Sequence, residues 1–281
     1  MISGKQVEQV IEHRLVRAVS VTGSNPAGSA VARRAGELLK KTVLELGGSD
    51  PYLILEDADL ELAARLCARA RLMNSGQSCI AGKRQIVVAQ VREPFEKRFV
   101  KLMGEARVGN PLDEHTDVGP LAREDLRATL HRQVEQSVAK GARLLLGGKM
   151  PAGPGWFYPV TVLTDVRPGM PAFDEETFGP VAAVIRAKDE ADAVRLANDS
   201  SFGLGAAIWT KDRARAERLA AQVEAGAVFV NGVVKSDPRL PFGGIKRSGY
   251  GRELSEFGIR EFVNIKTVWI GPAKTVQKPA D

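Results

Sequence analysis

Cysteine is scarce in this chain of 281 residues: there are two, Cys67 and Cys79. That excludes a disulfide scaffold and is compatible with a reducing compartment. The histidines, His13, His115 and His131, lie in no motif suggestive of a thiol–imidazole pair, and so few scattered His and Cys argue against zinc, so no metal is expected. No apolar run reaches the roughly 18 residues of a membrane span. The opening stretch MISGKQVEQVIEHRL carries charge throughout and lacks the apolar core of a secretory signal. The expected address is therefore cytoplasmic, with no membrane partner. Internal repeats and low-complexity tracts are absent as well.

Forty Lys and Arg stand against 34 Asp and Glu, a net charge of +6. The densest cations, Arg33-Arg34, Lys40-Lys41 and Lys246-Arg247, are interleaved with acids or glycines. A nucleic-acid footprint clusters charge on one face, so no nucleic acid is expected, and attraction of an anionic substrate or cofactor is the remaining functional reading. With 44% hydrophobic residues the chain can bury a substantial core. Its length exceeds the usual domain of about 100–150 residues, which implies one large or two unequal domains.

Hydrophobic periodicity alternates strands with helices, the pattern of an α/β fold. A short helix over 6–14 precedes a strand at 16–22. GSNPAGSAVARRAGELLKK then turns into a helix, with Ser24 or Asn25 as N-cap and Pro26 near the first helical position, before a strand at 44–46. That is a βαβ unit of the kind found in doubly wound dinucleotide domains. Further helices are expected at 57–74, 93–105, 122–141, 191–198 and 213–223, and strands at 85–91, 143–146, 160–164, 181–186, 206–210 and 228–231. The glycine-rich PFGGIKRSGYGRE suggests tight backbone near a site or interface, a helix follows at 253–262, and residues 264–270 alternate enough to form a sheet-edge strand that wants a partner.

The chemistry concentrates between Leu44 and Arg84. Glu45 stands beside Gly47-Gly48, and Cys79 follows Gly76-Gln77-Ser78. A carboxylate able to act as general base and a thiol able to act as nucleophile are the two groups a covalent thioester mechanism needs. Cys67 lies on the apolar stripe of its helix and reads as a small buried hydrophobe. The turn GSNPAG lacks the Lys-[Ser/Thr] of a Walker A loop. Gly23 and Gly28 either offer a helix N-terminus to a pyrophosphate or simply allow a tight turn and close packing.

LELGGSDP and NSGQSCIAGKR resemble the glutamate and cysteine signatures of the aldehyde dehydrogenase superfamily, and the surrounding text is similar to its succinate-semialdehyde dehydrogenase branch. VGNPLDEHTDVGPL, GWFYPVTVL, EETFGPV, NDSSFGLGAAIWTKD, FVNG and PFGGIKRSGYGRE follow in the family's order. The resemblance implies that Cys79 is the nucleophile and Glu45 the base. Gly23 and Ser24 would lie at the cofactor, Glu176 and Phe178 would contact the nicotinamide ribose and ring, and NAD or NADP would accept a hydride from an aldehyde substrate. Ser236 and Arg239 are the candidates for gripping a substrate carboxylate, because Met73 occupies the position where one subgroup carries an arginine.

What is similar is the C-terminal part of an aldehyde dehydrogenase. The 22 residues before Gly23 are too few for a first βαβ unit of about 30 or more, and the family's oxyanion-stabilising asparagine has no counterpart here. The expected partition is a partial Rossmann-type dinucleotide-binding domain at 1–47, an α/β catalytic domain at 48–252, and a C-terminal return with an oligomerisation strand at 253–281, which implies a homo-oligomer. Two alternatives remain: a cofactor-independent thiol esterase, and an inactive truncated subunit that associates with a full-length dehydrogenase.

Overall fold

A computed structural model describes residues 2–272. In chain order it holds α1 (Gly4–Glu12), β1 (Ala18–Thr22), α2 (Asn25–Glu37), β2 (Lys41–Glu45), β3 (Asp50–Ile54), α3 (Leu60–Leu72), β4 (Gly82–Val88), α4 (Arg92–Gly104) and α5 (Glu124–Ala139). The second half continues with β5 (Arg143–Leu146), β6 (Thr161–Thr164), α6 (Pro171–Asp174), β7 (Val181–Ala187), α7 (Glu190–Asn198), β8 (Phe202–Gly203) and β9 (Gly205–Trp209). It closes with α8 (Arg213–Ala220), β10 (Ala227–Val230), β11 (Ile245–Lys246), β12 (Gly249–Tyr250) and α9 (Ser255–Glu261).

Among the described residues these strands form a large sheet in the order β10-β9-β3-β4-β7-β6-β5 and a small one in the order β1-β2-β12, with β8 and β11 as a separate ribbon. The large sheet is parallel except for β5. Parallel sheets are covered on both faces, and the alternation of side chains shows it. Leu53, Ile86 and Ile185 enter one buried cluster, while Tyr52, Val87 and Val184 enter the other with Ala63, Cys67 and Phe99 of α3 and α4. Cys67 is fully buried in that second cluster, and burial pushes its thiol pKa well up, as expected of an inert packing residue.

Three departures from the sequence reading have physical causes. β3 is not among the expected strands; it carries Pro51, a residue disfavoured in a central strand, which is accommodated where the register with β4 shifts between Asp50 and Pro51. β4 starts at Gly82, ahead of the expected Gln85, and is buried throughout, including Lys83 and Arg84. Both cations are satisfied by backbone carbonyls: Lys83 reaches those of Ser78 and Cys79, and Arg84 those of Ser49, Leu196 and Ala197. The third is the expected terminal strand: residues 264–270 have no regular structure and pair with no strand among the described residues. A strand needs a neighbour to satisfy its backbone, and Ile265, Trp269 and Ile270 are about as exposed as side chains become, at 85–86%. The rest of the expected C-terminal segment, 273–281, lies outside the described residues.

The chain passes from the small sheet to the large one through Leu46-Gly47-Gly48-Ser49. That crossing positions the site.

Candidate active site

β1 and β2 are parallel and in register, Val21 beside Leu44 and Thr22 beside Glu45, so they end together. The Gly23 N–H donates to the Glu45 carbonyl at 2.9 Å, which locks the turn after β1 to the end of β2. Ser24 then caps α2, its hydroxyl accepting from the Ala27 N–H, with Pro26 in the first turn. The N-terminus of α2 and the Glu45 carboxylate thus open onto the same space.

Glu45 is 3% exposed, and neither of its carboxylate oxygens has a hydrogen-bond partner of normal geometry. Burial pushes its pKa from 4.5 up to about 7; Glu253 adds to the rise, and the nearby Gly244 N–H and Arg252 guanidinium oppose it. A carboxylate in this state exchanges protons near neutrality, as a general base must.

Cys79 sits on the loop that enters β4. Asn74, Ser75 and Gly76 have consecutive positive φ values of 53°, 55° and 74°, a left-handed passage that side chains elsewhere hold in place. The Asn74 side-chain amide donates to the Gln77 carbonyl at 2.9 Å, the Ser75 hydroxyl accepts from the Gly119 N–H at 2.9 Å, and the Gln77 side-chain oxygen accepts from the Ala122 N–H at 2.9 Å. Glycine is required at position 76, because a Cβ there would drive into the Gly179 carbonyl. Gly48 is also needed, since a Cβ would come within 2.5 Å of the Cys79 carbonyl. Cys79 as a residue is half-buried. Its pKa is raised, chiefly by burial, while the Lys83 ammonium opposes and Asp50, Glu176 and Glu45 add to the rise.

Arg71, fully buried on α3, joins this loop to the segment that carries Glu176. Its guanidinium donates to the carbonyls of Gly76 at 2.7 Å, Thr177 at 3.1 Å and Gly179. Glu176 in turn accepts from the Gly48 N–H at 3.0 Å.

These elements enclose a cavity of about 680 Å³ whose lining includes Gly23, Ser24, Glu45, Cys79, Glu176 and Phe178. That volume lies within the usual range for small-molecule sites, roughly 300–1,000 Å³. The walls suit part of a dinucleotide: a helix N-terminus for phosphate, a carboxylate for ribose hydroxyls and an aromatic face for a flat ring. Ser236 and Arg239 are not brought to this cavity. Both are exposed, and the Arg239 guanidinium forks onto Asp237 of its own loop at 2.7 and 2.9 Å, so its charge is spent locally. The cavity also takes Arg123, Leu126 and Thr129, which the sequence reading did not single out. Their three-residue spacing puts them on one face at the start of α5, a signal visible in the sequence only once that face is known to look inward. Among the described residues no group of three or more His, Cys, Asp or Glu side chains could hold a metal ion, and no helix is long and apolar enough to cross a membrane.

Residues 1–268 match the aldehyde dehydrogenase family. The chain is 54% identical over 263 residues to a succinate semialdehyde dehydrogenase [NAD(P)+] of Escherichia coli, covering 94% of this chain and 57% of that protein. It is 50% identical over 275 residues to a succinate-semialdehyde dehydrogenase [NADP(+)] of Mycobacterium avium, covering 98% and 58%. The crystal structure of a succinic semialdehyde dehydrogenase from Streptococcus pyogenes, in complex with NADP+, superimposes with a TM-score of 0.93 at 39% identity, over 96% of this chain and 60% of that one. The chain therefore spans somewhat under two thirds of the length of the relatives it matches.

Proposed function

The chain belongs to the aldehyde dehydrogenase family, and from that premise we propose that it oxidises an aldehyde of the succinate-semialdehyde class to the carboxylic acid, with NAD or NADP as hydride acceptor. The observation that supports this best is the placing of the Cys79 thiol and the unpartnered Glu45 carboxylate on the wall of one cavity. In this reading residues 1–47 form the cofactor side, 48–252 carry the thiol, and 253–281 serve association between copies.

The Cys79 thiolate adds to the aldehyde carbon, and the developing oxyanion is met by the backbone N–H of Cys79. The Gly23-Ser24 turn, Glu176 and Phe178 would hold a nicotinamide dinucleotide, which would supply the hydride acceptor needed for the thiohemiacetal to become a thioester. Glu45 then takes a proton from water as it attacks the thioester. The carboxylic acid leaves, and the thiolate is restored. A base whose pKa lies near 7 is charged often enough to accept that proton at neutral pH, and can return it to solvent.

The thiol and the base are also what hydrolysis of an activated ester needs, with no cofactor at all. A single assay separates the two readings. Reduced nicotinamide appearing from succinate semialdehyde with NAD or NADP, and lost in Cys79→Ala, supports dehydrogenation. Ester cleavage without cofactor, and no reduced nicotinamide under any condition, would replace it with the hydrolase reading. The exposed apolar side chains Ile265, Trp269 and Ile270 support association with another copy. Removing them should shift the protein to a smaller species in sedimentation.

A further inference from the structure

Lys83 is a cation on a fully buried strand, 1% exposed, with no counterpart among the groups assigned a chemical step above. Its ammonium donates to the Ser78 and Cys79 carbonyls, both at 2.8 Å, and lies 3.5 Å from Glu176 Oε1. The Ser78 carbonyl belongs to the same peptide unit as the Cys79 N–H. In a trans peptide the two point in opposite directions, so a charge that grips the carbonyl fixes which way the N–H is aimed. Donating to the Cys79 carbonyl as well holds the residue from both sides.

We propose that Lys83 is a positioning residue for the Cys79 centre: its buried ammonium sets the orientation of the Ser78–Cys79 peptide and favours the thiolate over the thiol. This rests on the reading of Cys79 as the nucleophile. The charged surroundings make the assignment specific. Burial disfavours a negative sulfur most, and Asp50 from β3, Glu176 from the segment after α6 and Glu45 from β2 add to it. Lys83 is the group that opposes them. Burial disfavours the charge on Lys83 most and Arg71 on α3 adds to that, whereas Glu176, Asp50 and Cys79 favour it. Glu176 disfavours the thiolate through its own charge, which offsets part of the field of Lys83 at the sulfur.

The test is the pH dependence of iodoacetamide alkylation at Cys79 in the full chain, followed peptide by peptide by mass spectrometry. The fully buried Cys67 serves as the internal control for unfolding. Lys83→Met should raise the midpoint by about one pH unit, a roughly tenfold loss of thiolate below it. Lys83→Arg, which keeps the charge, should stay near the unsubstituted value. Glu176→Gln should lower the midpoint, and it provides the answer if Lys83→Met does not fold. An unchanged midpoint in folded Lys83→Met, or a raised one in Glu176→Gln, overturns the proposal. Protection of Cys79 by succinate semialdehyde in the unsubstituted protein is read in the same experiment. Failure to protect refutes the nucleophile reading and leaves the Lys83 shift standing.

Discussion

Replacing Glu45 by Gln keeps the shape of the side chain and removes its charge, so it measures what burying this acid costs the fold. In the unfolded chain the carboxyl titrates near 4.5; in the folded protein burial moves it to about 7. Between those values the folded state still holds a proton that the unfolded state has lost. The stability contributed by Glu45 is thus fully present below pH 4.5 and is lost as pH rises through 7. At about 1.4 kcal/mol per pH unit the interval amounts to roughly 3 kcal/mol, a large share of the about 5–15 kcal/mol that holds a typical domain together. Gln does not titrate, so Glu45→Gln should match the unsubstituted protein at low pH and gain steadily on it up to neutrality. The assay is urea unfolding of both proteins at about pH 3.5, below the unfolded value, and at about pH 8.5, above the folded one. A gap near zero at the first pH and of roughly 3 kcal/mol in favour of Gln at the second is expected. A difference independent of pH, or a Gln variant less stable in alkali, would refute the claim that burial of this carboxylate outweighs the compensation from Gly244 and Arg252.

Other outcomes follow from the packing around the thiol. Gly76→Ala forces a side chain into a left-handed position facing the Gly179 carbonyl; it should cost at least about 2 kcal/mol in thermal or urea unfolding. Arg71→Met leaves the carbonyls of Gly76, Thr177 and Gly179 without their donor. A loss of about 3 kcal/mol is expected, together with faster proteolysis across 73–79. Asp59 caps α3 by accepting from the N–H groups of Glu61 and Leu62, so Asp59→Ala should destabilise by about 1 kcal/mol and leave alkylation of Cys79 unchanged. If Glu45 is the base, Glu45→Gln should slow release of the acid about 10²–10⁴-fold and abolish any rise of that step with pH through neutrality.

The alternation of strands and helices was legible because apolar spacing reports which faces are buried, and it placed β1, β6, β7 and β9 close to their observed bounds. β3 is a strand the sequence does not advertise: Pro51 goes against the local rule for a central strand, and a register shift beside β4 accommodates it. The start of β4 escaped for a related reason. Lys83 and Arg84 look like surface in a sequence, and only the carbonyls of Ser78, Cys79, Ser49, Leu196 and Ala197, most of them distant in the chain, make their burial possible. Gly23, Ser24, Glu45, Cys79, Glu176 and Phe178 were nameable from motifs, but their meeting on one cavity depends on β1 and β2 ending in register and on Arg71 tying two loops together. Ser236 and Arg239 were singled out for their chemistry alone, and Asp237 beside them takes up the arginine.

The most direct measurement is mass spectrometry of Glu45→Gln quenched during incubation with succinate semialdehyde and either NAD or NADP. Slow release should let an acyl group accumulate on the peptide that contains Cys79, only when the dinucleotide is present. An acyl group on Cys67, or none on any cysteine while the aldehyde is being consumed, would contradict the account.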